Sequence, residues 1–200
     1  MIHISGFGPN SGPERIFKKF RKVDGIFKSD GLIVKLSTDE AHVSGMFYIP
    51  PLMKTEIGNF YLSQGLHSHP YWDYAEIPIG PQITWFTIYS KFRGKGISAS
   101  IYEGIIRHFG ALYSDHQQTS GGTAIWKKLI KRKNVNVYSV HWRKKDWKIV
   151  SVAKQTSLEF ESFFENKDTQ TILLAVPVGK EIKEFKISNV EESIEVAYRK

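Results

Sequence analysis

Cysteine is absent from this chain of 200 residues. That excludes disulfides, a thiol nucleophile and thiolate metal sites, and it fits a reducing, cytoplasmic setting. Long apolar runs are absent too, so no membrane partner is expected. The N-terminus, Met1-Ile2-His3-Ile4-Ser5-Gly6, has no basic segment followed by an apolar one, and no secretory signal is expected there. No internal repeat argues for a solenoid or propeller. Acidic residues are outnumbered: 20 Asp and Glu stand against 28 Lys and Arg, a formal net charge of +8. The balance favours an anionic partner such as a nucleotide cofactor or nucleic acid. A solvated basic surface with no dedicated partner accounts for charge alone equally well. A chain of this length suits one domain and can bury roughly 70% of its unfolded surface, so it needs no covalent staple.

Along the chain, residues 1–12 are rich in Gly, Ser, Pro and Asn and read as loose, and Pro13–Val23 reads as a short basic helix. Leu32–Ser37 and His42–Ile49 read as two strands joined at Thr38-Asp39-Glu40, an antiparallel hairpin. Pro50–Pro81 is broken by prolines and glycines and reads as an irregular binding loop. It carries Tyr61, His67, His69, Tyr71, Trp72, Asp73, Tyr74 and Glu76. Ile83–Tyr89 is β-branched and aromatic, hence a strand, and Ala111–Asp115 is a shorter one. His116–Gly122 reads as a loop and Thr123–Arg132 as a helix with Ile125, Trp126, Leu129 and Ile130 on one face. Val135–Trp142 and Trp147–Ala153 form a second hairpin around Asp146. Beyond these, Leu158–Phe164 is a short helix or edge strand, Thr171–Val178 a strand, and Phe185–Ile187 and Ser193–Tyr198 two further candidates.

The most informative stretch is the turn after Ile83–Tyr89. Gly94 and Gly96 permit backbone conformations closed to other residues. Ile97, Ile101, Ile105 and Phe109 then recur at helical spacing. The first turn of a helix presents unpartnered N–H groups and the positive end of its dipole, and Arg93 and Lys95 add full charges beside them. Such a turn suits a phosphate or diphosphate. The competing role is a plain strand-to-helix turn with solvated cations.

Arg93-Gly94-Lys95-Gly96-Ile97-Ser98 resembles the acyl-CoA loop of the GNAT N-acetyltransferase superfamily: Arg or Gln, two residues, Gly, one residue, then Gly or Ala. Arg93 and Gly96 match, while Ser98 stands where Gly or Ala is usual. The order strand, helix, strand, helix, strand, strand over Ile83–Ala153 is that of the second half of a GNAT domain. The resemblance implies an α/β (α+β) fold with a mixed, mostly antiparallel central sheet flanked by helices. The acyltransferase domain would span residues 1–153, and 154–200 would be a β-rich C-terminal extension that lengthens the sheet or covers one end. It implies acetyl-CoA or another acyl-CoA as cofactor, an amine acceptor, and cofactor contacts from Tyr89, Arg93, Gly94, Lys95, Gly96, Ile97 and Ser98. Two neighbouring strands, Ile83–Tyr89 and Ala111–Asp115, would splay apart to admit the pantetheine arm. Tyr71, Trp72 and Asp73 would contribute to the acceptor pocket.

Acyl transfer also needs a base for the amine and a partner for the leaving thiolate. Ile83–Tyr89 carries no carboxylate. Asp115, at the end of its strand, is the first candidate base, with Asp73 and Glu76 behind it, and the competing role for Asp115 is capping of nearby backbone. Where the family often has a Tyr on the following helix this chain has Trp126, which donates a hydrogen bond but is no practical acid. Tyr113 is the candidate acid in its place, with Tyr89 and Tyr138 as alternatives. Ser114–Gly122 and Ile125–Leu129 are similar to a pattern in small GNAT-like proteins encoded by bacteriophages. Some of these, the Mom type, modify DNA bases, and the basic surface keeps nucleic acid open as a partner. The clusters Lys127–Lys133 and Arg143–Lys148 suit either a ribose phosphate or a nucleic-acid backbone. His67 and His69 with Asp73, or Asp115 with His116, are too sparse a donor set to establish a metal centre. A module that keeps the fold without the chemistry is the third reading.

Overall fold

Apolar and polar residues alternate through residues 32–48, the signature of strands with one buried and one solvated face. Val34, Leu36, Val43 and Phe47 are buried, while Lys35 and Ser37 are exposed. The computed structural model describes residues 25–29, 31–38, 42–48, 55–63, 78, 80–115, 119–143, 149–156 and 169–186. Its strands are β1 (Gly25–Ser29), β2 (Leu32–Thr38), β3 (His42–Tyr48), β4 (Glu56–Ser63), β5 (Gln82–Ile88), β6 (Leu112–Tyr113), β7 (Val135–Arg143), β8 (Ile149–Lys154), β9 (Thr169–Pro177) and β10 (Phe185–Lys186). Helix α1 (Ile97–Phe109) lies between β5 and β6 in sequence, and α2 (Ser120–Ile130) between β6 and β7. The strands form one sheet in the order β1-β2-β3-β4-β5-β6-β9-β7-β8-β10. Strands β1 to β5 are an antiparallel meander. β5 and β6 run parallel, and every later pairing is antiparallel. The fold is therefore α+β with a mostly antiparallel mixed sheet. Among the described residues no helix is long and apolar enough to cross a membrane.

Several expectations change. Strands β1 and β4 were not anticipated, and β4 lies inside the stretch expected to be an irregular loop. Gly58 and Asn59 interrupt its pattern, but Ile57, Phe60 and Leu62 are buried and Phe60 pairs with Phe86 of β5. The strand expected over Ala111–Asp115 is reduced to β6. Helix α2 begins at Ser120, so part of the expected loop is helical. Thr119 makes this work: its side chain accepts from Gly122 N at 3.1 Å, which offsets the poor helix propensity of the two glycines. The segment after residue 153 does more than lengthen an edge. β10 does that, against β8, but β9 inserts between β6 and β7 in the sheet interior. The expected elements at Pro13–Val23, Leu158–Phe164 and Ser193–Tyr198, and the loose residues 1–12, lie outside the described residues.

Both helices pack on one face of the sheet. Ile101, Ile105 and Ile106 of α1 and Trp126 and Leu129 of α2 join residues from β2 to β7 and β9 in one core. A second core, on the opposite face of the later strands, gathers Tyr113, Tyr138, Val140, Val152, Ile172, Leu174 and Val176. Two glycines serve close packing in the first core. Gly45 faces Phe60 across β3–β4, and a Cβ there would fall inside the Phe60 ring. A Cβ at Gly58 would strike the Thr87 carbonyl oxygen and the Phe47 ring. Phe47 stacks on Phe60 and Phe86 with centroids 6.4 and 5.6 Å apart. A polar clasp ties α1 to the end of α2: buried Glu103 accepts from Asn134 Nδ2 at 2.7 Å and lies 3.7 Å from Arg132 Nη1.

Candidate functional site

The site starts from an irregularity in β5. Tyr61 pairs with Trp85 and Leu62 with Ile83, so Thr84 is an extra residue on β5. Its hydroxyl donates to Tyr61 O at 3.3 Å and holds the bulge. A bulge bends its strand and increases its twist. On the other side of β5, pairing with β6 is confined to a single rung, Gln82 with Tyr113. Tyr113 N donates to Pro81 O at 2.8 Å, and Gln82 Nε2 donates to Ser114 O at 2.9 Å. From there the chain turns to β9: Ser114 N donates to Leu173 O at 2.8 Å, and Leu173 N donates to Ser114 Oγ at 3.0 Å. Past that rung, β5 has no strand on this side among the described residues. The pairing of β5 with β6 is thus limited to that rung.

At its other end β5 leads into the turn that opens α1. Tyr89 N still pairs with Ile57 O, at 3.0 Å, before Ser90–Phe92 forms a short 3-10 turn. Gly94 and Gly96 adopt φ of +80° and +76°, in the left-handed region. Gly96 is the N-cap of α1; no side chain among the described residues caps it and its first turn holds no acidic residue. The contrast with the Thr119-capped α2 leaves the α1 start as a cluster of forward-pointing N–H groups. Arg93 Nε donates to Ile88 O at 2.9 Å, which anchors its guanidinium at the end of β5. The Lys91 and Lys95 ammonium groups lie 5.0 and 5.7 Å from the Phe92 ring centroid. Ile97 and Ser98, half-buried, are the first residues of the helix. The structure therefore brings Tyr89, Arg93, Gly94, Lys95, Gly96, Ile97 and Ser98 together in one cationic turn.

Aromatic side chains from three elements meet in the core beneath β5. Phe86 of β5 meets Tyr102 of α1 edge-on at 5.0 Å, and Tyr102 meets Trp126 of α2 edge-on at 6.0 Å. Burial, and then the charge of Asp115, push the Tyr102 hydroxyl well above the usual tyrosine range. Asp115 itself is half-buried just beyond β6. Tyr113 is placed elsewhere. It lies in the second core, on the sheet face away from the helices, and its hydroxyl donates to Pro78 O at 2.7 Å. Burial holds its pKa well up as well. The Tyr89 hydroxyl donates to Glu56 Oε1, and that bond, with smaller contributions, raises its pKa. All three hydroxyls stay protonated at neutral pH.

Tyr71, Trp72 and Asp73, with His67, His69, Tyr74, Glu76 and His116, lie outside the described residues. Among the described residues no group of three or more His, Asp or Glu is arranged to hold a metal ion. Sequence reasoning missed Tyr102, Phe86 and Gln82. The signal for Tyr102 was its place beside Ile101 and Ile105, where a hydroxyl on a buried helical face needs a reason. The solvated side of β4 and β5 carries a further aromatic group: Tyr61 and Trp85, a cross-strand pair, are 45% and 58% exposed. Comparison with protein-family models, curated proteins and solved structures returned no match.

Proposed function

We propose that the protein is an acyl-CoA-dependent N-acyltransferase with a GNAT-like arrangement of its central strands. One observation carries this reading: β5 and β6 part after a single rung, and the strand so released runs directly into a cation-flanked helix start without a side-chain cap. The residues fit the cofactor. Arg93, Lys95 and the N–H groups at Ile97 and Ser98 suit a diphosphate. The unpaired backbone edge of β5 suits an amide-containing arm, which would bond to it as an added strand does. When bound, an acyl-CoA would supply the acyl group as a thioester already activated for attack.

The chain's own part is positioning and proton handling. Phe86, Tyr102 and Trp126 would keep water from the helix side of the bound arm. Asp115 takes the proton that the acceptor amine loses as its C–N bond forms. Overall one C–N bond replaces one C–S bond. The amine's proton passes through Asp115 to solvent, and solvent protonates the departing sulfur. Tyr113 has no part in this chemistry, since its hydroxyl is bound on the far face of the sheet.

A second reading concerns the acceptor. Tyr61 and Trp85 form an exposed aromatic pair across β4 and β5 on a chain of net charge +8, which favours a nucleic-acid base as the amine-bearing group. Binding of single-stranded DNA or RNA that falls steeply with salt would support it. Salt-insensitive or absent binding would restrict the acceptor to small molecules or proteins.

The experiment for the main reading is thermal. Acetyl-CoA at 100 times its Kd should add about 2.7 kcal/mol of stability. Arg93→Glu should abolish that shift while leaving the unliganded melting temperature nearly unchanged. No shift with any acyl-CoA would leave a fold without this chemistry. Asp115→Asn should keep the shift and lower kcat; unaltered kcat removes Asp115 from the mechanism.

A further inference from the structure

Among the described residues the large exposed hydrophobic side chains are Tyr61, Trp85, Tyr89 and Val178, and the first three sit on or directly after β4 and β5. Side chains alternate along a strand, so Tyr61 shares with Asn59, and Trp85 with Thr87, the face turned away from α1 and α2. The register completes that face. Tyr61 lies between Trp85 and Ser44 in one row. Asn59 lies between Thr87 and Met46 in the next, with Lys35 beyond Met46. The neighbours of the two rings, Ser44 across the ladder and Asn59 and Thr87 along the strands, thus bear hydroxyl and amide groups. Leaving a tryptophan 58% and a tyrosine 45% exposed forgoes much of the burial that such side chains bring to a core. The local fold does not call for the rings, since the Thr84 hydroxyl holds the bulge.

The charges around the pair have one sign. Strands β2 to β5 contain a single carboxylate, Glu56, which accepts from the Tyr89 hydroxyl. Lys35 is exposed on the face itself, and Lys91 is exposed just past the end of β5. Flat rings with hydroxyl, amide and ammonium groups beside them suit a ligand that carries both π-faces and phosphates. A duplex keeps its base faces stacked inside, whereas a single strand can present them. We infer that the face of β2 to β5 turned away from the helices is a binding surface for single-stranded nucleic acid. Trp85 and Tyr61 stack on bases, Asn59 and Thr87 meet base or sugar edges, and Lys35 and Lys91 meet the backbone. The inference deepens the nucleic-acid reading of the acceptor by placing the strand, and it does not depend on the acyl-CoA reading.

The test uses the full chain and fluorescein-labelled oligodeoxythymidylate, with oligouridylate as the RNA arm, read by fluorescence anisotropy at low salt. Either single strand should bind, and the strand bound more tightly distinguishes DNA from RNA. Trp85→Ala and Tyr61→Ala should each weaken binding about fivefold or more, while Trp85→Phe, which keeps a ring, should retain most of it. The double variant Lys128→Glu with Lys131→Glu, on the exposed side of α2, should have the smaller effect. If binding falls with the α2 variant and not with the aromatic ones, or if duplex DNA binds as tightly as the single strand, this placement is overturned and a nucleic-acid acceptor still stands. If neither single strand binds the wild-type protein, both are overturned. Photocrosslinking of a 5-iodouracil oligonucleotide to the wild-type protein decides even where a variant fails to fold: attachment at Trp85 or Tyr61 supports the inference, and attachment only elsewhere overturns it.

Discussion

The two halves of the sheet are built on different rules. From β1 to β5 spatial order equals chain order, and burial alternates along β2 and β3 and around Tyr61 of β4: Phe60 and Leu62 are buried while Tyr61 between them is 45% exposed. From β6 onward the order is shuffled by the insertion of β9, and β6, β7 and β9 are buried on both faces. Leu173 and Ala175 of β9 belong to the core beneath the helices, and Ile172, Leu174 and Val176 to the opposite one. The first half is an ordinary one-sided meander whose other face is solvated around Tyr61 and Trp85. The second is a two-sided slab built around β9. The difference teaches where the sheet changes character, because the two constructions meet at the β5–β6 rung.

The largest effect comes from placing the same charge on each half. Leu174→Lys should leave no folded protein, because an unpaired ammonium buried in a well-packed core costs several kcal/mol out of a total stability of about 5–15 kcal/mol. Tyr61→Lys, on the open face of β4, should shift stability by no more than about 0.5 kcal/mol. Equal losses in the two variants, read by urea unfolding, would break the comparison. Next is the clasp between α1 and α2, which joins the halves. Arg132→Ala leaves buried Glu103 with Asn134 alone and should cost about 1–3 kcal/mol, seen as a lower urea midpoint. The smallest effect is electrostatic. His108, in the last turn of α1, has its pKa lowered by burial, so the folded state binds the proton less readily than the unfolded chain. Its contribution is complete above the unfolded value of about 6.5 and is lost as pH falls through that value toward the folded one. His108→Gln should flatten the melting temperature between about pH 7 and pH 5, measured by scanning calorimetry.

Legibility in the sequence followed the same division. The β2–β3 hairpin was readable because alternation marks a one-sided strand, and β5, its turn and α1 were readable because glycines and helical spacing are local signals. β4 was not. Gly58 is needed where Thr87 and Phe47 crowd it, and a glycine within a short apolar run reads as a loop. Thr171–Val178 announced a strand by its apolar run Ile172–Val176, but its place between β6 and β7 depends on pairings far apart in sequence. The turn over Tyr89–Ser98 was legible because it is one contiguous stretch. The aromatic row Phe86, Tyr102 and Trp126 was not, since its members come from three elements and only packing joins them.

Because the β5–β6 junction is one backbone rung reinforced by the Gln82 side chain, main-chain bonding contributes little to joining the two halves of the sheet. The core shared beneath α1 and α2 takes over that role, so the seam is held by side-chain packing where every other seam is held by a ladder.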